Sequence, residues 1–281
     1  MEYLMTYGWA ILIIAVVLGA LFQLGVFNAG TFAPRAPPGA CQVFRPNGPG
    51  TSSLINLEGV CSGELPQYVA VFNGQGSNYI TVGSPSFGAS SLQQFTVSFW
   101  AEYPGSFSYS GNNPPYYGFF KTYADAIYLF TPNVDQIQLF LNNVNPGPGS
   151  VVSIVTPYTW SNFMLTYNGY SAVLYQNTNT VMTVSNSMQI NSFSSLFIGT
   201  GDSGTFKGSM ANFQFYNTSL SGPEVNALYD EGIGGAPIRL QNLVGWWPLN
   251  GNANDYSGNN NNGVPSGVTY TNQWTSGYTP P

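Results

Sequence analysis

Oxygen-bearing side chains alternate along Asn250, Asn252, Asn254 and Asp255, offering amide and carboxylate oxygens to a hard cation such as calcium. The glycine and the closing acidic residue of a helix–loop–helix calcium loop are missing. A tight turn closed by side-chain to backbone hydrogen bonds is therefore the stronger reading of the same residues. The chain contains no histidine, which removes Ser-His-Asp and Cys-His nucleophile systems and histidine metal sites together. Glycoside hydrolysis needs two carboxylates brought close on one sheet face. Glu102, Asp125, Asp135 and Asp202 are scattered and none sits in a Glu-x-Asp strand motif, while Asp230-Glu231 adjoin a short helix and face solvent. The expectation is a chain that is not an enzyme and has no cofactor beyond the calcium candidates.

Two further positions carry chemistry of another kind. Cys41 and Cys61 are the only cysteines. An even count in an exported chain points to one disulfide, closing a loop of ~20 residues and worth ~3 kcal/mol, with two buried free thiols as the alternative. Asn217-Thr218-Ser219 is the one N-x-[ST] sequon, an acceptor for glycosylation in an exported loop. Charged residues make up 6% of the chain, and its five basic ones (Arg35, Arg45, Lys121, Lys207, Arg239) are dispersed. Nucleic-acid binding needs clustered cations and is excluded. A surface of Asn, Ser, Thr, Gly, Gln and Tyr keeps its character when carboxylates are protonated, so acid tolerance is expected beside the plainer reading of a generic extracellular surface.

The elements that position these residues begin with Met1 to Phe27. After Glu2 no charged side chain occurs until Arg35, and the stretch shows no period-2 alternation and no proline. It reads as one helix, apolar on all faces and long enough to cross a bilayer, buried in lipid or among other helices. Residues 28–66 form a Pro/Gly-rich, semi-rigid linker that holds the cysteine pair. From residue 67 to 281 short strands recur between Gly, Pro, Asn and Ser turns, the pattern of an antiparallel β-sandwich. The expected strands are Tyr68–Phe72, Tyr79–Val82, Phe95–Tyr103, Tyr117–Tyr123, Ile127–Thr131, Gln136–Leu141, Val151–Val155, Phe163–Tyr167, Ser171–Gln176, Thr180–Val184, Ser195–Gly199 and Gly208–Phe215. One short helix is expected over 221–229, with Ser221 as cap, Pro223 in the first turn and Gly232 just past the end. Trp100, Trp160 and Trp246 occupy strand or strand-edge positions, where core packing is the default over stacking on a sugar.

Glu2-Tyr3-Leu4 followed by Tyr7-Gly8-Trp9-Ala10-Ile11-Leu12-Ile13-Ile14 resembles the N-terminal segment of archaeal type IV pilins and archaellins, which carry a class III signal peptide. The resemblance implies a helix that waits in the membrane and is then packed into a filament core. Glu2 would pair with a neighbouring subunit, Tyr3 and Trp9 would lie in the assembly face, and Gly8, Gly19 and Gly25 would allow close helix approach. The family's short basic leader is not found before Met1, which points to its removal by a prepilin peptidase or to a start upstream.

A second resemblance runs through Val71-Phe72-Asn73-Gly74, Phe95 to Trp100, Trp160 to Gly169, Leu196 to Gly199, Phe206 to Asn217, Leu220-Ser221, Glu224-Val225 and Leu228-Tyr229. These segments are similar to a concanavalin A-like, laminin-G-like jelly roll, whose loops often hold calcium. The stretch Leu243 to Gly251, with Ala253 to Asn259 and Asn262-Gly263, resembles the opening of such a domain yet stands at the end of this chain. It implies a circularly permuted sandwich in which 243–274 pairs beside Tyr68–Phe72 or Gly208–Phe215, or is donated to the next subunit. Together the two resemblances imply a mainly β protein with one long N-terminal helix, serving as the structural subunit of an extracellular pilus-like filament in adhesion or motility. Its partners would be copies of itself, the membrane before assembly, the filament assembly machinery and surface glycans. The alternative is a membrane-anchored, lectin-like surface protein.

Overall fold

Strand alternation decides the architecture. In the computed structural model, which describes residues 13–18, 65–83, 91–103, 117–131, 136–147, 149–153, 156–185, 189–201 and 204–281, two antiparallel sheets face each other across one aromatic core. The first sheet holds β1 (Val69–Asn73), β4 (Phe95–Glu102), β9 (Ser161–Tyr167), β10 (Ser171–Gln176), β11 (Asn179–Ser185), β14 (Lys207–Tyr216), β15 (Leu243–Trp247) and β17 (Thr269–Thr271). Its order is β11-β10-β9-β4-β14-β1-β17, with β15 also on β14. The second holds β2 (Tyr79–Gly83), β5 (Tyr117–Thr122), β6 (Ile127–Thr131), β7 (Gln136–Leu141), β8 (Val151–Ser153), β13 (Ser195–Ile198) and β16 (Gly263–Ser266), in the order β16-β2-β13-β5-β6-β7-β8. The expected strands are therefore present to within one or two residues at their described ends. A small pairing of β3 (Ser91–Leu92) with β12 (Ile190–Asn191), and the splitting of 243–274 into three strands, were not expected.

Phe72, Phe95, Phe99, Phe119, Phe120, Phe163, Phe206, Phe213, Phe215 and Trp247 fill the space between the sheets. Phe99 alone neighbours Phe119, Phe163 and Phe213 at ring-centroid distances of 5.4–5.6 Å. Ring pairs of this kind add about 0.5–1.5 kcal/mol each beyond the area they bury. In β7 every second residue is buried, as in a strand with one wet face, whereas β4 and β9 are buried along almost their whole length. The reason is a cover on the outer face of the first sheet. The helix α1 (Gly222–Asp230) sets Val225 and Leu228 against Met164, Tyr216, Leu220, Leu243 and Trp246. Trp274 and the half-buried Tyr278 pack over Trp100 and Trp160. The start of α1 is fixed by Ser221, whose N–H and Oγ both donate to Glu224, at 2.9 and 2.7 Å. Gly232, at φ +78°, ends it by donating to Tyr229 O at 2.9 Å.

The C-terminal segment lies along strands formed much earlier in the chain. β1 pairs with residues 207–210 of β14 and β15 with residues 213–216 of the same flank. Both are antiparallel to β14, so they run in one direction, end to end. Between them β14 bulges at Asn212, whose φ of +53° suits an asparagine better than a branched residue. β16 adds to β2 and β17 to β1.

Residues 13–18 belong to a separate unit and are helical. Of the helix expected over 1–27, Glu2, Tyr3, Gly8, Trp9, Gly19 and Gly25 lie outside the described residues, as do Cys41 and Cys61, most of the linker, Asp135 and Asp202. Ile13, Ile14, Val16, Val17 and Leu18 are exposed to between 49% and 62%. Among the described residues no helix is long and apolar enough to cross a membrane.

A candidate binding face on the second sheet

The register of the second sheet aligns one residue from each of six strands. Val264 pairs with Thr81, Thr81 with Phe197, Phe197 with Lys121, Lys121 with Tyr128, and Tyr128 with Phe140. Neighbours along each strand, among them Ile80, Val82, Leu196, Ile198, Phe120, Ile127, Leu139 and Leu141, belong to the core between the sheets. Because side chains alternate along a strand, the aligned row points the other way, out of the sandwich. Phe130, two residues beyond Tyr128, stands on the same face opposite Gln138.

This face is aromatic and polar together. Tyr128 and Phe130 stack at 4.4 Å between ring centroids, with Phe140 at 6.3 and 5.7 Å from them. Tyr79 meets Phe197 edge-on at 6.0 Å. Tyr128 and Phe130 are buried, whereas Phe140, Phe197, Tyr79, Thr81, Gln136 and Gln138 are half-buried. Lys121 is the cation of the row, and its Nζ lies 3.4 Å from Asp125 Oδ1 in the turn that follows β5. Flat rings take the apolar faces of sugars, and amides and hydroxyls beside them take the sugar hydroxyls.

The residues proposed for chemistry on sequence grounds are placed elsewhere. Asp255 lies in the loop after β15, where its carboxylate accepts from Trp246 N–H, Ser257 N–H, Ser257 Oγ and Asn261 N–H at 2.8–2.9 Å. Asn250 Oδ1 accepts from Tyr68 N–H at 2.8 Å and Asn252 Oδ1 from Asn254 N–H at 2.9 Å, while Asn254 itself is exposed. The oxygens of Asn252 and Asp255 are thus taken up by N–H and O–H groups around their own loop, and that of Asn250 by Tyr68, just before β1. No group of three or more acidic or cysteine side chains that could hold a metal occurs among the described residues.

Glu102 closes β4 beside the start of β14, whereas Asp125 follows β5 beside the start of β13. Since the chain turns from the end of β13 into the start of β14, these two carboxylates lie at opposite ends of the sandwich. Burial raises the Glu102 carboxyl above the ordinary glutamate range, against the lowering effect of a hydrogen bond from Ser209. Asp230 and Glu231 stand at the end of α1, where burial and then Asp230 raise Glu231. Trp100, Trp160, Trp246, Trp247 and Trp274 are all buried, so among the described residues the exposed and half-buried rings are those of tyrosine and phenylalanine.

The row itself was not singled out from sequence. Its signal is an aromatic standing at the outward position of an alternating strand, as Phe140 stands between Leu139 and Leu141 and Phe197 between Leu196 and Ile198. Which of these positions align across strands is a matter of register, which no single strand contains.

A family model described as the concanavalin A-like lectin/glucanases superfamily matches residues 73–226. No curated protein sequence matches the chain. Among solved structures, a candidate carbohydrate binding protein from Bacteroides ovatus is 14% identical with a TM-score of 0.57, over 73% of this chain and 60% of that one. The chain thus spans less than two thirds of that protein. A native heptameric SAP-like pentraxin from Limulus polyphemus is 14% identical, with a TM-score of 0.44 over 58% of this chain and 82% of its own. Domains LG4-5 of the mouse laminin α1 chain are 17% identical, with a TM-score of 0.39 over 56% and 43%. At such identities the likeness concerns the fold.

Proposed function

The chain belongs to the concanavalin A-like lectin/glucanase superfamily, and from that premise we propose that its head is a non-catalytic carbohydrate-binding module displayed outside the cell. The observation that carries this reading is the outward row in which Thr81, Phe197, Lys121 and Phe140 are half-buried, with Gln136 and Gln138 beside them and the buried Tyr128 packed between Lys121 and Phe140. Binding is favoured over cleavage by the placement of Glu102 and Asp125 at opposite ends of the fold, where a hydrolase needs two carboxylates flanking one glycosidic bond. The test is a glycan array probed with the full-length chain in detergent, followed by titration of the strongest glycan. Phe140→Ala and Phe197→Ala should each weaken binding roughly 3- to 10-fold, the worth of one aromatic contact. Binding to no glycan, or binding indifferent to both substitutions, would sink the proposal.

A second, compatible reading concerns how the head is displayed. The helical segment 13–18 exposes Ile13, Ile14, Val16, Val17 and Leu18 together. Apolar residues on all sides of a helix need lipid or other helices to cover them. We infer a tether over residues 1–27 of the archaeal pilin type, held in the membrane before assembly and packed against copies of itself in a filament afterwards. Prepilin peptidase and the assembly machinery are its implied partners. Electron microscopy of material sheared from cells, with mass spectrometry of its protein, separates the two fates. Filaments containing this chain support the polymer, and single particles found only in detergent-extracted membranes leave an anchored lectin.

A further inference from the structure

We propose that Asn217 carries an N-linked glycan; the proposal rests on the display of the head outside the cell. Asn217 follows β14 directly, is exposed, and opens the sequon Asn217-Thr218-Ser219, with Thr218 and Ser219 half-buried. Its surroundings fix the residue and leave its amide nitrogen unused. Asn217 N–H donates to Asn242 O at 2.9 Å, and Asn242 Nδ2 donates to Asn217 Oδ1 at 3.1 Å. The next residue is held as well, its carbonyl accepting from Thr96 Oγ1 at 2.8 Å. Nδ2 of Asn217 makes no hydrogen bond among the described residues, and a sugar attached there keeps every bond named.

Other asparagines of this chain are spent on structure. Asn78 and Asn168 tie down turns, Asn162 and Asn212 are buried and bonded, and Asn250, Asn259 and Asn261 brace the C-terminal loop. The modified position is also remote in topology from the proposed binding face, since β14 belongs to the first sheet and the aromatic row to the second. A glycan at Asn217 therefore adds bulk and hydration to a chain poor in charge without occupying the face that binds.

The co-reactant is a lipid-linked oligosaccharide. A bond forms between Asn217 Nδ2 and the anomeric carbon as the bond from that carbon to the lipid phosphate oxygen breaks. The amide nitrogen loses one proton to the transferring enzyme and the lipid phosphate leaves, with no change of oxidation state. Trypsin cuts after Lys207 and Arg239, which isolates the sequon in the peptide 208–239. In chain purified from the surface of its own cells, that peptide should carry a series of sugar masses that fragmentation assigns to Asn217. Asn217→Gln should remove the sugar series, leaving the peptide at the mass of its own substituted sequence, with the melting temperature unchanged. Surface-derived peptide found only at its unmodified mass overturns the glycan while the display reading stands. Chain recovered only from the cytosol, and unmodified, overturns both.

Discussion

The backbone N–H of Tyr68 donates to Asn250 Oδ1 at 2.8 Å, joining residues 182 apart in sequence where the sandwich begins and where its last segment returns. Around this bond β15 and β1 meet end to end along β14. Trp247, Leu249 and Ala253 enter the same core as Phe72 and Phe213.

The head should not fold without its C-terminal segment. Ending the chain at Asn242 removes three strands and a fully buried tryptophan, and the product should lack a cooperative thermal transition. The milder Trp247→Ala should fold and lose about 3–5 kcal/mol in denaturant titration. A truncated head melting like the full chain would refute the role given to residues 243–281.

Asp255 should act as a brace and not as a metal ligand. Asp255→Ala strips acceptors from Trp246 N–H and Asn261 N–H, both in buried residues, and should cost about 3 kcal/mol. Millimolar calcium or excess chelator should leave the melting temperature of the unaltered chain where it was. A rise with calcium that disappears in the Asp255 variant would return the loop to the metal-binding class.

Gly199 sits at φ +82°, and a Cβ there would stand 2.1 Å from the Phe72 ring. Both the backbone strain and the overlap oppose a side chain, so Gly199→Ala should cost about 3 kcal/mol or more. Gly76→Ala serves as the control, since it has a positive φ and open space, and should cost about 1 kcal/mol. Equal losses at the two positions would remove the packing part of the explanation.

The pH dependence of stability should have two limbs. Glu102 and Glu231 titrate above the ordinary glutamate value, chiefly through burial. The folded state therefore takes up their protons first, and stability rises as pH falls towards the glutamate range. Glu224 titrates below it, because Ser221 N–H and Oγ, and then Arg239, hold its charged form. Its contribution is complete above the ordinary value and is lost as pH falls through the lowered one. Melting temperatures should hold or rise towards about pH 5 and turn down below about pH 4. Glu102→Gln should flatten the first limb and Glu224→Gln the second, whereas a steady decline from neutral pH would contradict both assignments.

Much of the fold was legible because alternation and turn residues are local. Gln136–Leu141 and Ser171–Gln176 end where their alternating residues meet Asn-rich turns, and Ser221, Glu224 and Gly232 mark α1 in a few letters. Trp100 and Trp246 lie on strands and Trp160 at the edge of β9, and it is the cover on the first sheet that buries all three. The cover on the first sheet was not legible, and β4 is buried on both faces only because α1 and the C-terminal tail lie across it. At Asp255 the spacing favoured a turn closed by side-chain to backbone hydrogen bonds over a cation site, but it did not name the partners. The donors that decide the matter come from Trp246 and Asn261 on either side.

Composition and period, by themselves, determined that this is a mainly β chain, poor in charge, without histidine chemistry, preceded by an apolar segment. Those properties are sums over local residues, which no pairing can alter. Tertiary structure alone decided which strands are neighbours, and hence that Phe197, Lys121, Tyr128 and Phe140 share one outward row while Glu102 and Asp125 are kept apart. Register between strands is set by packing of the whole core, because a slip of one residue would turn each buried ring to solvent.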